Sequence, residues 1–352
     1  MMHPEIFMSM RHAMRRLGLA LLLASGSACA AQPSSALPKF TLDPSRTAVV
    51  GLSSGGYMAS QAQMAYPELF PNAAIVAGGP YGCADGKLDV ALGSCMKGAP
   101  APDVAALVAS ATKRSASGEI GELKHLAHAH VYLLHGKADG LVAPAVAEAG
   151  AHFYEQLRDS SPTLQDMQIH DDGQRDFAHN LPVTAEGNDC DKSVTPYLGH
   201  CGFDAAGEIF SQMFGKPAHA VAPAKGELRR FDQDALRPDG ADAFMAKAGY
   251  LYVPLTCLAG KSCGLVVAFH GCKQNAGAVG EAFVNDAGFN RWADAYDVVV
   301  LYPQTRASFA PLNPQACWDW WGYSGADYDT RHGVQLRWLV KAVRALGLHT
   351  TH

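Results

Sequence analysis

The sequence predicts an α/β fold, a sheet of short strands wrapped by helices, and two observations predict it. Short β-branched runs alternate with Ala-rich amphipathic stretches along the chain, the pattern of strand–helix units. Of the 352 residues, 48% are apolar and only 17% charged. Such a chain can bury an ordinary core and lies outside the disordered, collagen-like and coiled-coil classes. No internal repeat or low-complexity linker interrupts the pattern, so one domain with excursions is expected where length alone would suggest two. The net charge is −5 and the pI is near 6.3. No basic run extends beyond Lys113-Arg114 or Arg229-Arg230. This balance argues against nucleic acid as a partner and favours small or neutral substrates.

The first thirty residues read as a signal peptide rather than as part of the fold. Arg11, Arg15 and Arg16 form a positive region, residues 17–24 a short apolar run, and Ser27-Ala28-Cys29-Ala30-Ala31 a small-residue cleavage site. The apolar run is shorter than the ~20 residues a membrane span needs, so no stable anchor is expected. The fold then occupies 31–352. Strands are expected at 47–50, 73–77, 130–135 and 167–170, then at 227–231, 249–254, 264–270 and 298–302. Helices are expected at 56–66, 103–112, 144–160, 275–296 and 333–346. Pro144 suits a first helical position, where its missing N–H has no partner to lose. The Gly/Pro-rich stretch 185–225 holds two cysteines and reads as an ordered, stapled insertion.

Apart from Cys29, the cysteines are Cys83, Cys95, Cys190, Cys201, Cys257, Cys263, Cys272 and Cys317. An even set in an exported chain points to disulfides. The lack of any C-x-x-C argues against structural zinc. Eight cysteines allow 105 connectivities, and the sequence alone does not choose among them. Nearest-neighbour pairing would close 83–95, 190–201 and 257–263 and leave 272–317 as the long link.

Chemistry enters at Gly51-Leu52-Ser53-Ser54-Gly55, a G-x-S-x-G pattern. An apolar run leads into it and a helix-like stretch follows, which is the strand–sharp turn–helix context of a nucleophile elbow. A serine nucleophile needs a base, and the base needs an orienting acid. Asp139, in the loop after the 130–135 strand, is the acid chosen, and His179, in the polar loop after the 167–170 strand, is the base. His170 is the rival, but a residue inside a strand is expected to be buried in the sheet. His125, His128 and His130 lack a carboxylate or cysteine to complete a metal site, so they read as a solvated helix end, with no metal. The order of parts is unusual. Only residues 31–52 of the fold precede Ser53, whereas the strand ending in His270-Gly271-Cys272, which looks like an oxyanion loop, comes far later. The chain thus reads as a circularly permuted α/β-hydrolase. Its oxyanion donors would be the backbone N–H groups of Ser54 and Cys272.

The segment Gly51-Leu52-Ser53-Ser54-Gly55-Gly56-Tyr57-Met58, the His270-Gly271-Cys272 loop and Cys317-Trp318-Asp319-Trp320 together resemble the secreted short-chain-length polyhydroxyalkanoate (PHB) depolymerases. The resemblance is to the subgroup with a circularly permuted (type 2) catalytic domain, and it runs from about residue 40 to 346. It implies a triad of Ser53, Asp139 and His179 acting through an acyl-enzyme on poly(3-hydroxybutyrate)-type polyester or its oligomers. It also implies an aromatic beside the crevice that contacts polyester, matched by Trp320 in a cluster with Trp318 and Trp321. A Cys272–Cys317 disulfide would tie that aromatic loop to the oxyanion loop. Many extracellular members add a linker and a polymer-binding domain. This chain ends soon after its last expected helix, so poor attack on crystalline polyester is expected. The alternative function keeps the chemistry but takes acetyl or feruloyl esters of polysaccharide. A catalytically dead binding protein would need a broken triad, and no break is visible. No cofactor is expected, and the protein is expected to be a secreted or periplasmic monomer.

Overall fold

A computed structural model describes residues 36–184 and 186–350. The signal peptide assigned to residues 1–30 lies outside them. Eight strands form the main sheet: β1 (Leu42–Leu52), β2 (Asn72–Val76), β3 (His130–Gly136), β4 (Gln168–Arg175), β5 (Glu227–Asp232), β6 (Ala248–Val253), β7 (Cys263–Phe269) and β8 (Val298–Tyr302). Their spatial order is β4-β3-β2-β1-β7-β8-β6-β5. From β4 to β8 every neighbouring pair is parallel, and β6 and β5 close the far edge antiparallel.

Side chains alternate between the two faces of these strands, and both faces are covered. Val49, Leu265, Val267, Val299 and Leu301 pack with helix α1 (Ser54–Ala65) and the Val334–Ala345 helix. On the other face, Ala48, Val50, Val266, Ala268 and Val300 meet the Ala205–Phe214 and Phe289–Tyr296 helices. Burial on both sides explains why 298–302 reads as an unbroken apolar run rather than an alternating one. The fold is the circularly permuted α/β architecture that the order of its parts predicts. The first strand of the chain sits in the middle of the sheet beside β7, with Gly51 opposite Phe269.

Several expectations need correction. The stretch 275–296 is three short helices, Ala276–Val279, Ala282–Asp286 and Phe289–Tyr296, because Gly280 (φ 60°) and Gly288 (φ 87°) take left-handed backbone that interrupts a helix. His170 is exposed on the edge strand β4 instead of buried in the sheet. The stapled insertion carries a small sheet of Leu181–Val183, Leu198–His200 and Asn188–Asp189, then the Ala205–Phe214 helix. Neither was anticipated. Four disulfides join Cys83 to Cys95, Cys190 to Cys201, Cys257 to Cys263 and Cys272 to Cys317.

Candidate active site

Every sequence-predicted polar group of the site sits beyond the C-terminal end of a parallel strand, where open α/β sheets bind ligands. β1 runs straight into the elbow. Ser53 has φ 59° and ψ −120°, a backbone that a non-glycine residue adopts only under constraint. The constraint is visible: Ser53 N donates to Val76 O at 2.8 Å, and Tyr57 N donates to Ser53 O at 3.1 Å. Glycine is required beside it, because a Cβ on Gly55 would lie 2.3 Å from the Phe269 carbonyl oxygen. The Ser53 side chain makes no capping bond to α1, so its hydroxyl is not committed to the helix.

Asp139 and His179 are paired. Asp139 Oδ2 accepts from His179 Nδ1 at 2.7 Å, and Oδ1 accepts from Leu141 N at 2.8 Å and Val142 N at 2.9 Å. Both side chains are buried. Burial works to raise the Asp139 carboxyl. The hydrogen bond from His179, the nearby imidazoles and the Val142 N–H outweigh it and hold the group below its ordinary value.

The third component leaves β7. His270 is fully buried; its Nδ1–H donates to Gly271 O at 2.7 Å, and its Nε2 accepts from Thr305 N at 3.2 Å. Burial lowers its pKa to about 4, so the ring is a neutral brace. Gly271 N donates to Gln274 Oε1 at 2.7 Å, and Gln274 Nε2 donates to Pro196 O at 2.8 Å. A Cβ on Gly271 would lie 3.5 Å from Ser53 Cβ, so this loop touches the elbow directly. Among the described residues, neither Ser54 N–H nor Cys272 N–H has an acceptor.

Ser53, Ser54 and Cys272 line one cavity of about 250 Å³ with Tyr57, Leu88, Leu92, Met96, Val142, Leu312, Asn313, Pro314, Gln315, Cys317, Trp320 and Trp321. Trp320 stacks on Tyr57 with ring centroids 4.5 Å apart. Leu88, Leu92 and Leu312 are exposed at its mouth, and Phe309, 83% exposed, stands on the hairpin that carries Leu312. Trp318 is not part of this wall. It is buried and packs against Phe269, with ring centroids 4.9 Å apart. Asp319 turns the chain between the two tryptophans: its Oδ1 accepts from Gly322 N at 2.7 Å and its Oδ2 from Ser324 N at 2.7 Å.

The structure therefore gathers Ser53, Ser54, Cys272 and Trp320 around one space and binds Asp139 to His179. Two segments connect these groups. Val142 both caps Asp139 and lines the cavity. The His179 ring lies edge-on to Tyr197, whose carbonyl oxygen, like that of Pro196, faces the Gln274 amide. Tyr57 escaped the sequence reading, although its place four residues after Ser53 on a helix was a usable signal. The leucines at the mouth carried no signal. His125, His128 and His130 form no metal-holding cluster among the described residues.

Residues 248–349 match a family model described as esterase PHB depolymerase. The poly(3-hydroxybutyrate) depolymerase of Delftia acidovorans is 36% identical over 307 residues, 85% of this chain. This chain spans 59% of that relative's length. The polyhydroxybutyrate depolymerase of Talaromyces funiculosus is 33% identical over 345 residues, covering 93% of this chain and 96% of that one. A solved PHB depolymerase from Penicillium funiculosum superposes with a TM-score of 0.76 at 30% identity, covering 89% of this chain and 98% of the other. A serine-to-alanine variant of a PHB depolymerase, complexed with R3HB trimer, gives a TM-score of 0.77 at 30% identity with the same coverage.

Proposed function

The chain belongs to the PHB depolymerase family, and from that premise we propose that it is a serine esterase cleaving poly(3-hydroxybutyrate)-type chains or their oligomers. Ser53 Oγ attacks the ester carbonyl while His179 Nε2 takes its proton. Asp139 holds His179 in the tautomer with Nδ1–H and stabilises the imidazolium. The oxyanion of the tetrahedral adduct is met by the N–H groups of Ser54 and Cys272. Collapse breaks the C–O bond, His179 protonates the departing alkoxide, and an acyl group stays on Ser53. Water, deprotonated by His179, then attacks that acyl carbonyl, releasing the acid and returning a proton to Ser53.

The observation that carries this reading is the pair of unclaimed backbone N–H groups in the cavity that holds Ser53. The wall supports a methyl-bearing polyester. Tyr57, Trp320, Met96 and the leucines offer apolar contact. Of the two amides in the lining, Asn313 is engaged with the Cys317 backbone and Gln315 is left, whereas a polysaccharide ester would leave many sugar hydroxyls without partners. Four disulfides support an oxidising compartment, hence a secreted or periplasmic protein with residues 1–30 as its leader. A serine-directed phosphonate tests the chemistry: one adduct per chain is expected, on the peptide bearing Ser53, and an adduct on Ser54 or elsewhere overturns it. A substrate panel tests the rest. Faster turnover of acetylated or feruloylated saccharides than of 3-hydroxybutyrate oligomers would move the assignment to the alternative.

A further inference from the structure

His135 is the one buried imidazole near the acid–base pair to which the proposed mechanism gives no task. It sits at the end of β3 with 2% exposure, and neither ring nitrogen has a partner at normal hydrogen-bond geometry, although the Val142 backbone acts on the ring. A buried polar ring left unbonded destabilises a fold and calls for an explanation. Its Nε2 lies 3.9 Å from Asp139 Oδ2, the same oxygen that accepts from His179. Asp139 Oδ1 is already filled by two backbone N–H groups, whereas Oδ2 receives only one bond. An ionised carboxylate has room for about two donors on each oxygen. The open position is on the oxygen nearest His135.

We infer that His135 is a positioning residue: a neutral imidazole whose Nε2–H serves Asp139 Oδ2 as a second donor and so moderates the hold of Asp139 on His179. The inference rests on the Ser53, His179 and Asp139 reading above. The groups facing His135 are Asp139, His179, Glu148 from the Pro144–Asp159 helix, and the backbone of Val142. Burial, the largest influence, keeps the ring neutral and is helped by His179. The two carboxylates and the Val142 backbone act against it. A lone pair on Nε2 would be repelled by the carboxylate, so the proton belongs on Nε2. Closing 3.9 Å to a normal bond needs a movement of only about 1 Å. A second donor on Oδ2 stabilises Asp139 most while His179 is neutral. It thereby competes with His179 for Oδ2 and weakens the stabilisation that Asp139 gives an imidazolium formed there.

The test is kcat/KM against pH on dissolved 3-hydroxybutyrate trimer for the wild type, His135→Gln and His135→Phe. Phenylalanine removes the donor and keeps the bulk; glutamine restores an N–H. His135→Phe should move the acid limb upward by about half to one pH unit and lower kcat/KM at pH 6 about three- to tenfold. On the alkaline plateau it should stay within about twofold of wild type. His135→Gln should keep the limb within about 0.2 of wild type. An unmoved limb in His135→Phe, or equal displacement in both variants, overturns the inference. If His135→Phe does not fold, histidine 15N NMR of the wild type decides. A neutral Nε2–H tautomer through pH 6 is expected, and an Nδ1–H tautomer or a protonated ring at pH 6 overturns the inference. A flat result with the phosphonate on Ser53 and His179→Gln inactive removes only the role of His135. An active His179→Gln removes the triad reading itself.

Discussion

The elbow and the aromatic wall border the same cavity but are built in different ways. Ser53, Ser54 and the His270-Gly271-Cys272 loop are placed by backbone. They leave adjacent parallel strands whose register sets Gly51 against Phe269, and glycines let the two segments touch. Trp320, Leu88, Leu92 and Leu312 are placed by loop excursions outside the main sheet, which include the short Leu88–Leu92 helix and the Leu312 hairpin and which disulfides and buried polar side chains such as Asp319 hold in shape. Where the backbone sets the geometry, a change should alter the rate of bond cleavage. Where loops set it, a change should alter how well a chain is held.

The sharpest way to break this comparison is Ser53→Ala. Turnover should fall by about 10⁴- to 10⁶-fold with the fold intact, seen as an unchanged circular dichroism spectrum. A variant retaining more than a percent of the rate would place the chemistry elsewhere. Next in size is the Cys272–Cys317 link, where the two regions meet. Replacing both cysteines by alanine opens a loop of 45 residues and should destabilise the protein by about 4 kcal/mol in the loop-entropy account. It should lower kcat as well as raise KM, because it frees both the donor loop and the wall. An effect on stability alone would separate the two regions more than the structure does.

His270 offers a pH test of the donor loop. Burial keeps it neutral down to about 4 in the folded chain, whereas an unfolded histidine takes a proton near ~6.5. Between those values the unfolded state binds more protons, so stability falls as pH drops through that window, by up to about 3 kcal/mol. His270→Asn should be less stable at pH 8 yet lose less between pH 7 and 4.5 in urea titrations. Equal slopes in the two proteins would show that another group sets the acid sensitivity. The smallest effect is expected in the wall. Trp320→Ala should lower kcat/KM on oligomers about tenfold, mainly through KM, with kcat within about threefold of wild type. A loss confined to kcat would make Trp320 part of the chemistry and erase the distinction.

The two regions also differed in how legible they were. The strand into the elbow, Ser53 and the later donor loop could be read because each is a local pattern: an apolar run, a glycine frame and a strand end. Asp139 and His179 followed from the order of strands and loops. The wall could not be read in the same way. Trp318 and Trp320 lie two residues apart, and nothing local tells that one packs on Phe269 while the other stacks on Tyr57. That outcome depends on the turn around Asp319. The three short helices from Ala276 to Tyr296 hid inside one amphipathic pattern, since periodicity does not register a glycine taking positive φ. His135 was passed over for another reason: Asp139 lies only four residues on, but nothing in the sequence tells that the turn after β3 returns this carboxylate to within 3.9 Å of the ring.

The central place of β1 bears on how the molecule is made. The strand that delivers Ser53 is the first of the sheet to be synthesised, yet one of its two neighbours, β7, begins only at Cys263. Until the ribosome has passed Phe269, one edge of that strand has no partner, a long-range pairing of the kind that slows folding and exposes apolar surface. A chain released early would carry Ser53 and lack the His270-Gly271-Cys272 loop that packs beside it. The cavity beside Ser53 is thus completed late and all at once, and a prematurely terminated product should be a client for chaperones and proteases.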